Sequence, residues 1–153
     1  MLVFSEYQTD TIDLALDFYG YEDCPKNYEF GPSVRDNFVL HFITKGKGVF
    51  HFNKKEIHLE AGDLFLLPKN KVTYYKADEE EPWSYYWIGI SGTKVSDFMR
   101  FSTLHEKGFL KKNEVETEKI GQFMEQLVHK AEASKMTSHY QLHLLSQIYE
   151  LLY

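Results

Sequence analysis

Apolar and polar positions alternate in short runs between residues 37 and 90, and glycine, proline or asparagine interrupts them every few residues. In 37–45, Phe38, Leu40 and Phe42 share one face of an extended chain, and Val39, His41, Ile43 and Lys45 share the other. In 48–53, Phe50 and Phe52 oppose Val49 and His51; in 56–59, Ile57 and Leu59 oppose Glu56 and His58. Residues 64–67 are apolar throughout, the pattern of a strand buried on both faces. Two more strands are predicted at 72–77 and 83–90, on either side of the acidic loop Asp78-Glu79-Glu80-Glu81-Pro82. The turns fall at Gly46-Lys47-Gly48, at Asn53 and at Ala61-Gly62-Asp63, with Pro68 closing the block. Upstream, 12–21 alternate with Leu14, Leu16 and Phe18 together and read as a strand. Residues 22–36, broken by Cys24-Pro25 and Gly31-Pro32, read as a loop, and 1–11 as an arm without a clear period. Closely spaced strands of this kind predict a small antiparallel barrel or jelly roll, whose mouth is a place to hold a ligand.

From about Thr93 the period becomes helical. Thr93 is placed to cap a short helix running through Phe101, and Asn113 followed by Glu116 resembles a capping box. Behind it, Ile120, Phe123, Met124, Leu127, Val128 and Ala131 form one helical face. A last helix is predicted from about Thr137, and its apolar set (Tyr140, Leu144, Leu145, Ile148 and Leu152 among others) covers more than one stripe. Such a helix needs two partners, so the expectation is the barrel on one side and a second subunit on the other, a homodimer. The reading is therefore a mainly β domain with C-terminal helices, a barrel over 1–92 followed by two or three helices over 93–153 of the same domain. The chain stops at Tyr153 inside a helical pattern, from which a longer natural protein is expected.

Composition narrows the function. The 153 residues carry a formal net charge of −6, which argues against a nucleic-acid surface within them, because phosphate neutralisation needs clustered Lys and Arg. Cys24 is the one cysteine, so no internal disulfide forms and nothing points to an oxidising compartment. The N-terminus lacks the basic and apolar segments of a signal peptide or membrane anchor, and a cytoplasmic protein is expected. Aromatic residues are frequent, with 12 Phe, 11 Tyr and 2 Trp, and suit both strand cores and binding sites.

The glycine and proline spacing resembles a cupin. At the positions where metal-binding cupins place a glutamate and a histidine, this chain has Val39 and Thr73, and the histidine pair expected near Ser33 to Arg35 is missing. A metal centre therefore has no support, and no cofactor is expected. Cys24 is followed by proline and has no identifiable base; Gly46-Lys47-Gly48 is a hairpin turn and not a phosphate loop.

Five short segments carry a closer resemblance. They are Phe30-Gly31-Pro32 with Arg35-Asp36, Gly46-Lys47-Gly48, Ala61-Gly62-Asp63 through Pro68, Tyr75-Lys76-Ala77-Asp78, and Pro82-Trp83 through Tyr86-Trp87-Ile88-Gly89. In this order and spacing the chain resembles the N-terminal effector domain of AraC-family transcription regulators, and among them regulators of oligosaccharide utilisation in Gram-positive bacteria. The resemblance implies a sugar effector in the barrel, dimerisation through C-terminal helices, and DNA binding by a helix-turn-helix domain that these residues do not include. It also implies that Lys45, Tyr75, Tyr85 and Trp87 occupy pocket positions. The residues themselves agree in part: Tyr85 and Trp87 share a face, as do His41 and Lys45. Trp87 offers a ring for sugar C–H faces, Tyr75, Tyr85 and His41 offer hydrogen bonds, Lys45 three donors, and Arg35 a guanidinium at the mouth.

The expectation is a ligand-sensing, dimerising domain and not an enzyme. Its rival is a small metal-free cupin enzyme, a sugar isomerase or epimerase, using His41 or His51 with Tyr75 as an acid–base pair. A third reading is a dimerisation module whose barrel is filled by its own side chains.

Overall fold

The apolar run becomes β7 (Leu64–Leu67), and all four residues are buried because the strand has a core on each face. Phe65 and Leu67 enter a core between two sheets, while Leu64 and Leu66 enter a second core beneath helices. The structure, a computed structural model, describes residues 2–6, 15–100, 102–113 and 117–133. The remaining elements are β1 (Leu2–Glu6), β2 (Ala15–Asp23), β3 (Glu29–Ser33), β4 (Phe38–Lys45), β5 (Lys47–Phe52), β6 (Lys55–Glu60), β8 (Thr73–Ala77), β9 (Ser84–Ser91) and β10 (Phe109–Leu110). The helices are α1 (Thr93–Arg100), α2 (Thr103–Lys107) and α3 (Thr117–Ala133). One sheet has the order β1-β2-β9-β4-β7-β10 and the other β3-β8-β5-β6, with antiparallel pairing between these strands. This is the cupin-like, mainly β architecture with C-terminal helices that the sequence predicts.

Period-2 alternation divides β4 as expected: Phe38 and Leu40 join the helix-side core, and Val39 and Ile43 join the core between the sheets. The other half of the helix-side core is the predicted face of α3, with Met124, Leu127, Val128 and Ala131 buried and Ile120 and Phe123 packed against it. Gly121 sits in that face because a Cβ there would come within 2.3 Å of the Phe42 ring.

The structure departs from the expectations at several places. The arm contains β1, which pairs with β2 at Phe4↔Gly20; a sheet edge is held by backbone bonds, which require no hydrophobic period. The loop over 22–36 contains β3, paired with β8 at Phe30↔Tyr75. Its register is irregular between Phe30 and Ser33, where Pro32 has no N–H to give to the ladder. A short helix, α2, was not foreseen although its caps are legible: the Ser102 Oγ accepts from the Leu104 N–H, and Gly108 closes it at φ +85°. Helix α3 is described from Thr117; Glu116 of the expected capping box, the last helix from Thr137 and its dimer face lie outside the described residues.

Candidate functional site: an aromatic cavity between the sheets

The inward faces of β2, β4, β8 and β9 leave a cavity of about 250 Å³ between the sheets. Its position follows from register. His41 on β4 is opposite Trp87 on β9, and Tyr85, one inward step along, is opposite Glu22 on β2. Phe30 brings β3 over Tyr75, the rings stacked at 5.4 Å. The buried floor is His41, Tyr75 and Tyr85, at 2%, 6% and 2% exposure, with Val39 and Leu67. The half-buried rim is Glu22, Tyr28, Phe30, Arg35 and Trp87.

Ring packing fixes the floor. The His41 imidazole lies parallel to Phe65 at 4.3 Å and meets Tyr85 edge-on at 4.9 Å and Tyr75 at 5.3 Å. Trp87 stands edge-on to Tyr85 at 5.6 Å. The Arg35 guanidinium covers the faces of Phe18, at 4.9 Å, and Phe30, at 5.9 Å.

Burial governs the electrostatics. It pushes the His41 imidazole down to about 3, the Arg35 charge adding to the shift and a backbone contact with Val39 opposing it, so the ring is neutral at pH 7. Its Nδ1 is buried without a hydrogen-bond partner, and such an atom is costly unless something bonds to it. Burial also raises Tyr75 and Tyr85 far above the usual phenol range, so both hydroxyls keep their protons, and the two phenols and the Cys24 thiol are close enough to shift one another. The thiol is itself pushed up to about 12, first by burial, and is no nucleophile at neutral pH. The cavity thus presents neutral hydroxyl and imidazole groups among aromatic faces.

His41 makes the fold sensitive to acid. Its folded pKa of about 3 lies below the unfolded value of 6.5, so between those limits the unfolded chain binds the extra proton. Stability contributed by the neutral ring is complete above pH 6.5 and is lost as pH falls toward 3. Urea titrations at pH 7 and pH 5 are expected to show a wild-type loss larger by about 2 kcal/mol than that of His41→Leu. Equal losses in the two proteins would show that His41 does not carry this dependence.

Trp87, Tyr75, Tyr85, His41 and Arg35, all named from the sequence, line this one cavity; Lys45 does not. The Lys45 side chain is 69% exposed, with Nζ 3.5 Å from Asp23. Counting by twos from His41 and Ile43 puts Lys45 inward, but the β4–β9 register shifts between Ile43 and Lys45. Ile43 faces Tyr85 and Lys45 faces Ser84, so two steps on β4 meet one on β9. A bulge of this kind re-aims the side chains that follow it. The sequence reading missed Phe18, Glu22, Tyr28 and Phe30. Tyr28 and Phe30 lay in the expected loop, where their i, i+2 spacing around Glu29 was the available signal. Of the two metal positions matched above, Val39 is an aliphatic part of the cavity wall and Thr73 is buried at the start of β8. No group of three His, Cys, Asp or Glu placed to hold a metal occurs among the described residues.

A wider groove of about 1000 Å³ runs outside the barrel between β4, the β6–β7 turn and the start of α3. Its lining mixes Thr44, Lys119, Gln122 and Glu125 with the edge of Phe42. The smaller cavity is the better candidate because it gathers buried polar groups and aromatic faces at one point. Among the described residues, no helix is long and apolar enough to cross a membrane.

Known proteins resemble this chain in sequence or in fold. The chain is 46% identical over 105 residues to the Msm operon regulatory protein of Streptococcus mutans serotype c, covering 69% of this chain and 38% of that protein. It is 42% identical over 97 residues to the raffinose operon transcriptional regulatory protein RafR of Pediococcus pentosaceus, covering 61% and 35%. It therefore spans well under half the length of these relatives. Among solved structures, YhaK from Escherichia coli superposes with a TM-score of 0.51 at 14% identity, over 60% of this chain and 45% of that one, a likeness of fold alone. Residues 15–152 match the AraC-like ligand binding domain, a span that takes in β2 to α3 and every residue lining the cavity, and the chain belongs to that family.

Proposed function

We propose that this domain senses a sugar or oligosaccharide by taking one sugar ring into the cavity between the sheets. The observation that carries the reading is the buried, unpartnered His41 Nδ1 in the floor, beside two protonated tyrosine hydroxyls and under aromatic faces. A sugar ring has this chemistry in complement: hydroxyls for the polar atoms and C–H faces for Trp87. At about 250 Å³ the space falls just below the ~300–1,000 Å³ of drug-sized pockets. One ring fits; the rest of an oligosaccharide would leave past Trp87 and Tyr28.

Transmission follows from alternation. β9 turns Tyr85 and Trp87 into the cavity and Tyr86 and Ile88 onto the helix-side core. The Tyr86 hydroxyl is 3.0 Å from His129 Nε2, and the Tyr19 hydroxyl donates to Glu132 Oε2 at 2.8 Å, both on α3. A ring that moves β9 therefore moves the seat of α3. In the full protein this coupling would alter DNA binding by a domain outside these residues, in a cytoplasmic homodimer joined through C-terminal helices. Effector and DNA affinities are then linked reciprocally. Catalysis by His41 and Tyr75 would need groups that exchange protons near neutral pH; burial drives one down and the other up, which favours binding over chemistry.

The test is a titration of the full-length protein with raffinose, galactose and glucose, reading both sugar binding and operator affinity. At least one sugar is expected to bind and to change operator affinity, and Trp87→Ala is expected to weaken that sugar about 30-fold, for a loss of about 2 kcal/mol in ring contact. Operator affinity that stays constant at saturating sugar would sink the sensing role.

A further inference from the structure

Of the residues lining the cavity, one is an anion and one a cation. Glu22 is on β2 opposite Tyr85, and Arg35 covers Phe18 and Phe30. The Glu22 carboxylate is half-buried and has no hydrogen-bond or ion-pair partner among the described residues, although it faces the same space as the tyrosine hydroxyls. Lys45, the second cation that period-2 counting would add to this wall, is turned out to Asp23.

We propose that Glu22 sets the charge specificity of the cavity, accepting hydroxyl hydrogens from a neutral sugar and rejecting the phosphate ester of the same sugar. This rests on the sugar-sensing reading above. A carboxylate accepts up to four hydrogen bonds and donates none, so it matches the vicinal hydroxyls of a sugar ring and opposes a phosphate. Arg35 alone does not reverse that preference, because Glu22 cancels its charge within the same lining. His41 adds no positive charge, since its ring is neutral. Burial raises the Glu22 pKa, with the charge of the amino terminus opposing it, the mark of a carboxylate that is short of solvent and gains from donors brought by a ligand. Removing the Glu22 charge leaves Arg35 uncompensated, and an anionic sugar then gains where a neutral one loses.

The test is isothermal titration of the full-length protein with galactose and glucose, and with the 1- and 6-phosphates of each. Wild-type protein is expected to bind at least one neutral sugar at least tenfold more tightly than its esters. Glu22→Gln is expected to weaken the neutral sugar severalfold and to bring the ester to equal or better affinity, while Glu22→Asp, which keeps the charge, still rejects the ester. Glu22→Ser removes the same charge with a smaller side chain and shifts the ratio the same way, which covers a poorly folding Glu22→Gln. An ester that binds wild-type protein as well as the neutral sugar overturns the proposal and leaves sugar sensing intact. So does a ratio unmoved in both uncharged variants. If no sugar or ester binds, while raffinose also fails to change operator affinity, the sensing reading falls and this proposal falls with it.

Discussion

Gly46→Ala is expected to destabilise the domain by about 3 kcal/mol, although the position is a single residue in a hairpin turn. Two costs add. Gly46 has φ +76°, in the left-handed region, where an L side chain costs roughly 1–2 kcal/mol. A Cβ there would also come within 2.3 Å of the Pro82 carbonyl oxygen and 2.8 Å of the Trp83 Cα, both backbone atoms that no rotamer change can move. Relief requires separating the β4–β5 turn from the segment entering β9, and overpacking of this kind typically costs about 1–3 kcal/mol. For a domain of this size the midpoint temperature should fall by about 6–12 °C. Lys47→Ala, one residue on and half exposed in an ion pair with Glu81, is the control and should stay within about 0.5 kcal/mol of wild type. A Gly46→Ala protein that melts with the control would show that the turn yields, and that the close approach of Pro82 is not a constraint.

Asp63→Ala is expected to cost a similar amount, about 3 kcal/mol, for a different reason. Asp63 is 1% exposed, yet its carboxylate is fully employed. Oδ2 accepts from the Glu60 N–H and Oδ1 from the Lys112 N–H, each at 2.9 Å, and Lys111 Nζ is 3.7 Å away. The carboxylate therefore ties the β6–β7 turn to the segment leading into α3, where Thr117 Oγ1 also donates to the Gly62 carbonyl at 2.6 Å. Alanine leaves two backbone donors without partners and a cation without its counter-ion. Asn keeps the shape but offers one acceptor oxygen, so Asp63→Asn should lose about half as much. Urea unfolding of the three proteins decides it: Asp63→Ala within 0.5 kcal/mol of wild type would mean that water replaces the carboxylate without loss. Hydrogen exchange adds a local readout, since the Glu60 and Lys112 amides should lose protection before the β-sheet amides do.

Both residues belong to turns that the sequence marks plainly, and both draw their energetic weight from contacts it does not mark. The same division runs through the whole domain. Alternation in 37–45 and 83–90 assigns Val39, His41, Tyr85 and Trp87 to one face of their strands, because side-chain direction in a strand is a local property of the backbone. Continuous burial of Leu64–Leu67 and the apolar face of α3 are legible for the same reason. A bulge is not: Lys45 leaves the inward face because β4 and β9 pair irregularly at Ile43, and a register shift depends on two strands far apart in sequence. β1 and β3 escaped because edge strands are recruited by the backbone groups of their neighbours, with little demand on side-chain pattern.

The sequence alone determined the strand and helix periods, the turn glycines, the absence of metal-binding residue types at the cupin positions and the family resemblance, since each is written in residue type and spacing. Tertiary structure decided which inward side chains share one cavity, that Lys45 is outside it while Glu22 and Phe30 are within, and that His41 is neutral with an unpartnered Nδ1. Burial, desolvation and register are properties of the assembled sheets, and no residue carries them before its neighbours are in place.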